Sequence, residues 1–178
     1  MSGGAGTPDP DQPWQARAAA QVDPSLDSAP LPRDLLLEVF QHARECYPEE
    51  CCGLLTGVDL ELPVRVVRCT NVQNTRVARG ESDLDARRAF SIDEQELLNA
   101  LRAADQREER LVVIYHSHVD TAAYLSFTDL EAALGPDRRP LYAGTAQLVV
   151  SVQESGVLGA ALFAWDESAQ RFRGRGVR

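Results

Sequence analysis

The chain has 178 residues, 44% of them hydrophobic, enough for one globular domain with a sizeable core. Its 27 acidic and 18 basic residues leave a net charge of −9, which repels phosphate backbones and argues against a nucleic-acid partner. No run approaches ~20 consecutive apolar residues, so no membrane span is expected.

Residues 1–32 hold six of the ten prolines among Gly, Ala, Asp and Ser, without hydrophobic periodicity, and read as a disordered tail. With neither a basic start nor an apolar run, the tail is not a secretory signal. Leu35, Leu36, Val39 and Phe40 then make one helical face over residues 34–46. Strands are predicted over 52–56 and 63–70, the second carried by Val64, Val66, Val67 and Cys69. The polar stretch 71–90 reads as irregular, and Ser91 with Glu94 reads as a capping box for a helix reaching about residue 105. The apolar run LVVIY (111–115) predicts a strand, and Leu130, Ala133 and Leu134 predict a short helix opening at Ser126. GPDRRP at 135–140 breaks the chain before strands near 146–152, 157–165 and 170–173. This order describes an α/β architecture, an α+β mixed sheet with flanking helices, over residues 33–173. Residues 174–178 end a basic run, RFRGRGVR, read as a solvated, frayed end with a docking surface as the alternative. Cys46, Cys51, Cys52 and Cys69 make no disulfide framework, and a reducing cytoplasm fits them best.

Residues 116–129 read HSHVDTAAYLSFTD, and two of the chain's three histidines lie in this run. Strand side chains alternate faces, so His116 and His118 project the same way and their imidazoles converge on one point. Asp129, in the first turn of the helix opening at Ser126, adds a hard oxygen ligand to two nitrogens, a set that Zn²⁺ accepts while keeping a fourth position for water. Each piece has a plainer reading. Ser126 with Asp129 is also an S-x-x-D helix cap, and a histidine near a strand end is often a satisfied polar group.

The combination resembles the signature of the JAMM, or MPN-plus, metalloprotease family: an upstream Glu, then H-S/T-H-x7-S-x2-D. The segment YPEECCGLLTG (47–57) is similar to the entry motif of the bacterial and archaeal members, aligned on Pro48, Cys52, Gly53, Leu55 and Gly57. The likeness runs from about residue 33 to 165. It implies the JAMM fold, itself similar to that of cytidine deaminases, with Glu50 as catalytic acid and base, Ser126 as oxyanion donor, and His116, His118 and Asp129 as Zn²⁺ ligands. It implies a peptidase or isopeptidase acting after the Gly-Gly tail of a ubiquitin-like or sulfur-carrier protein, cradled by residues 71–90 and 119–125. The alternatives are a non-catalytic MPN-like scaffold, or a RadC-like or small-amide hydrolase; an intact ligand set argues against the scaffold and the acidity against DNA. A cytidine deaminase reading lacks support, since the H-x-E and P-C-x-x-C pattern is absent. Without the motif Glu50 is a surface carboxylate, and Cys51 and Cys52 are alternative thiolate ligands or core residues. Val119 and Leu125 stand where bacterial relatives carry prolines, which predicts a mobile or substrate-shaped loop over 119–125. Every basic residue is Arg; base composition, a high-salt lifestyle, or escape of an isopeptidase from lysine modification would each explain it.

Overall fold

The elements of the computed structural model, which describes residues 18–177, are in chain order β1 (Ala18–Ala20), α1 (Arg33–Cys46), β2 (Cys52–Gly57), β3 (Pro63–Cys69), α2 (Gln73–Ala78), α3 (Glu94–Asp105), β4 (Arg110–Val119), β5 (Leu125–Ser126), α4 (Phe127–Ala133), β6 (Ala146–Gln153), β7 (Gly156–Asp166) and β8 (Arg171–Gly176). Six strands form one sheet in the order β3-β2-β4-β6-β7-β8. Only β4 and β6 run parallel, so the sheet is mixed as expected, and the crossover between them carries β5 and α4. A parallel central pair needs cover on both faces, and both strands are buried almost throughout. Helix α1 supplies one layer over Val113, Tyr115, Leu148 and Val150. On the other face α3 packs over Leu54 and Leu111, and α4 brings Ala133 against Val149 and Phe163.

Alternation along β4 sends Tyr115 into the α1 layer and Ile114 and His116 to the opposite face. Tyr115 lies across Gly53 of β2, where an added Cβ would collide with the Tyr115 ring and the Val67 carbonyl. Its hydroxyl reaches His42 Nδ1 of α1 at 2.9 Å, tying the helix to the sheet.

Four departures from the sequence expectations have local causes. Strand β4 continues through both histidines to Val119, because β6 pairs with it as far as Val119 opposite Val152. Residues 71–90 contain α2, a six-residue helix burying one side chain, Gln73, and such a helix leaves no periodic pattern to read. Helix α3 starts at Glu94, capped by the Asp93 carboxylate, which accepts the Glu96 N–H at 3.0 Å; the Ser91 N–H instead donates to Asn71 Oδ1 at 3.0 Å. The expected tail over 1–32 divides in two. Residues 1–17 lie outside the described residues, whereas β1 pairs with β5 and the Asp23 and Ala29 N–H groups donate to the Gly174 and Gly176 carbonyls, both at 2.9 Å. Correspondingly β8 runs on to Gly176 and Val177 bridges Ala29. No helix among the described residues is long and apolar enough to cross a membrane.

Candidate metal centre

Strand β4 presents His116 and His118 side by side, and α4 turns Asp129 back toward them from its first turn. All three are buried, His116 completely. Their nearest atoms form a triangle: His116 Nε2 to His118 Nε2 is 3.2 Å, His118 Nε2 to Asp129 Oδ2 is 3.3 Å, and His116 Nε2 to Asp129 Oδ2 is 3.4 Å. Zinc bonds of ~2.0–2.1 Å in a tetrahedron place neighbouring ligand atoms about 3.4 Å apart. The spacing therefore matches what one such ion requires, and these three residues form a group that a metal ion can draw on.

Protonation follows the same pattern. Burial pushes the His116 imidazole below its ordinary value, partly opposed by Asp129, and so favours the neutral ring. Burial works against the charge on Asp129, but the facing imidazoles of His116 and His118 overcome it and hold the carboxyl well below its usual range. A divalent cation binds imidazole in its neutral form, the form that burial favours at His116. His118 Nδ1 lies 3.2 Å from the Ala122 carbonyl, a contact that orients the ring with Nε2 toward the cluster.

Glu50 is buried just ahead of β2, and among the described residues its Oε2 finds no hydrogen-bond partner. Burial raises its carboxyl well above the ordinary value, and the charges of Asp129 and Asp85 raise it further, so Glu50 lies within the field of the ligand cluster. Its main chain is pinned from both sides: the N–H donates to the Ala86 carbonyl at 2.7 Å, and the carbonyl accepts from Asn71 Nδ2 at 2.9 Å. Ser126 caps α4, its Oγ accepting the Asp129 N–H at 3.1 Å while its own N–H donates to Asp129 Oδ2 at 2.9 Å. The S-x-x-D cap and the ligand reading of Asp129 thus hold together, since one Oδ2 serves both. Among the described residues the Ser126 hydroxyl has an acceptor role but no acceptor of its own proton.

Cys51 and Cys52 stay out of the metal-competent group. Burial pushes the Cys51 thiol up to about 12 and Cys52 higher still, and Cys52 packs in the α3 layer beside Leu54. Three contributors escaped the sequence reading. Phe90 stacks on His116 at 4.4 Å, and Tyr124 meets His118 edge-on at 4.7 Å. Asn71 joins Glu50, Ala89, Gln73 and Ser91 through one side chain; a lone Asn opening an irregular stretch was its only signal. Beside Asp129 a cavity of about 230 Å³ runs between Phe90, Ile92, Leu141 and Tyr142, with Gln147 among its lining.

A mixed sheet that brings two histidines from a central strand and an aspartate from the following helix to one point defines an α/β domain built around a metal-competent centre. The family model of prokaryotic homologs of the JAB domain matches residues 32–165, and the chain belongs to that family. Proteins named CysO-cysteine peptidase from Mycobacterium tuberculosis and Mycobacterium bovis are each 35% identical over 105 residues, 58% of this chain and 64% of theirs. The matched stretch thus spans less than two thirds of those relatives. A solution structure from Desulfitobacterium hafniense superposes with a TM-score of 0.60 at 23% identity, covering 82% of this chain and 88% of that one. A second, from Salinibacter ruber, gives 0.54 at 26% identity, covering 85% and 90%. The first supports the fold alone.

Proposed function

We propose that the protein is a zinc-dependent peptidase or isopeptidase that hydrolyses the bond after the C-terminal Gly-Gly of a sulfur-carrier or other ubiquitin-like protein in the cytoplasm. The observation that carries this reading is the buried triangle of His116, His118 and Asp129, whose carboxylate charge is felt by the buried Glu50. Family membership and the name of the mycobacterial relatives support a peptidase and a carrier-protein substrate. Four free thiols suit a reducing compartment.

His116, His118 and Asp129 would hold the zinc ion, which would lower the pKa of a water from 15.7 toward ~7 and ease the loss of its proton. Glu50 Oε2 accepts that proton and later gives it to the departing amine, a role its raised affinity for protons favours. The Ser126 O–H donates to the oxyanion that develops on the attacked carbonyl, a contribution of ~2.7–4 kcal/mol for comparable donors. Phe90 and Tyr124 wall the imidazoles with apolar surface, which excludes water and strengthens these charges. The tail enters between residues 71–90, which contribute Arg76 and Phe90 to the cavity beside Asp129, and the loop 119–125.

The test is release of the C-terminal residue from a Gly-Gly-tailed carrier protein with and without a chelator, beside Glu50→Gln. Chelator-sensitive release that Glu50→Gln abolishes while still binding zinc supports the reading. Release that persists in the chelated protein or in Glu50→Gln sinks it.

A further inference from the structure

Ser126 is gripped by a segment that the family match leaves out. The match begins at residue 32, yet β1 pairs antiparallel with β5, Ala18 opposite Ser126 and Ala20 opposite Leu125. Ala20 packs on the cluster of Leu125, Ala133 and Val149 beneath α4. Three residues on, the segment is fastened to the sheet edge: the Asp23 N–H donates to the Gly174 carbonyl at 2.9 Å, and the Asp23 carboxylate accepts from Arg173 at 2.8 Å. Gly174 leaves room for it, since a Cβ there would sit 2.6 Å from the Gln21 carbonyl.

The backbone of Ser126 therefore has β1 along one side, and its N–H donates to Asp129 Oδ2 at 2.9 Å. That oxygen is the one facing both imidazoles. A two-residue strand does not hold itself in place, so its orientation comes from what pairs with it. We propose that residues 18–23 are a strap that positions the Ser126 N–H, and through it the Asp129 carboxylate, making this N-terminal segment part of the metal centre. The inference rests on the proposed function only for Asp129 as a ligand.

Two variants test it: a chain starting at residue 22, and full-length Ala20→Pro, which removes a strap N–H and disfavours its pairing. Asp27→Asn, on the same segment but exposed, is the control. Zinc affinity is measured by competition with a chromophoric chelator, and amide hydrogen exchange is followed at residues 124–129 and along β4 and β6. Removal of an orienting outer contact weakens metal binding by about 10–100-fold. Both variants are expected to fall in that range, with faster exchange at Ser126 and Asp129, parent-like exchange in β4 and β6, and recovery when a peptide of residues 18–24 is added. Unchanged affinity and exchange overturn the strap, as does tighter zinc binding with faster turnover, the behaviour of a lid. If the shortened chain does not fold, Ala20→Pro decides. Should the parent take up no zinc, the proposed function fails while the exchange comparison still decides the strap.

Discussion

Glu50 is a buried carboxyl whose Oε2 has no hydrogen-bond partner among the described residues and whose proton affinity is raised by burial and by the charge of Asp129. The unfolded chain ionises this group near its ordinary value of 4.5, whereas the folded chain keeps the proton to higher pH. Between those two values the folded state holds an extra proton on Glu50, so this group's contribution to stability is most favourable below 4.5 and falls as pH rises toward the folded value. Glu50→Gln removes that loss. Calorimetry of the metal-free variant is expected to show a higher Tm near neutral pH and a shallower decline with pH, beside a loss of turnover of about 10²–10⁴-fold. A Tm slope identical to the parent's would refute the buried-acid account. Ser126 separates its two duties by substitution. Ser126→Ala is expected to lose about 10²–10³ in kcat and ~0.5–2 kcal/mol of helix capping, whereas Ser126→Gly loses the same kcat with only a few tenths of the stability. Equal Tm losses in the two variants would contradict the capping role. The convergence of His116, His118 and Asp129 was legible because alternation on a strand and the first turn of a helix fix directions over short distances. Glu50 was legible only through family likeness, since nothing in PEE tells a buried carboxylate from an exposed one.

Among the elements, the periodic ones were legible and the short ones were not. Strands with apolar alternation and the helical face of α1 emerged within a few residues of their observed limits. Helix α2 and β1 did not, because each is held by single backbone bridges and side chains from distant segments rather than by a face of its own. The loop 119–125, expected to be mobile or substrate-shaped without its prolines, carries several hydrogen bonds to its surroundings. The Asp120 N–H donates to the Val152 carbonyl at 2.9 Å, Ser151 Oγ donates to the Thr121 carbonyl at 2.5 Å, and the Tyr47 hydroxyl donates to the Asp120 carboxylate at 3.2 Å. At the β2–β4 contact, Gly53→Ala forces a methyl into Tyr115 and the Val67 carbonyl. Overpacking of this kind costs typically ~1–3 kcal/mol, read as a lowered denaturant midpoint with unchanged m-value. A midpoint equal to the parent's would mean that Tyr115 swings aside freely.

For the molecule as a whole, a metal bound only by the folded state adds to its stability by mass action, about 2.7 kcal/mol when free ion exceeds the dissociation constant a hundredfold. Chelation is therefore expected to lower Tm in the parent and to leave Asp129→Asn little changed, as followed by thermal scanning. A chelator-sensitive Asp129→Asn would remove Asp129 from the ligand set. The Asn71 side chain has a consequence at the same scale. It is a single amide bracket clamping Glu50, the far end of the excursion at Ala89 and Ser91, and the start of α2. Under the proposed mechanism, an incoming chain that leans on residues 71–91 would tug on the Glu50 backbone as well, so docking and base placement would be mechanically one event.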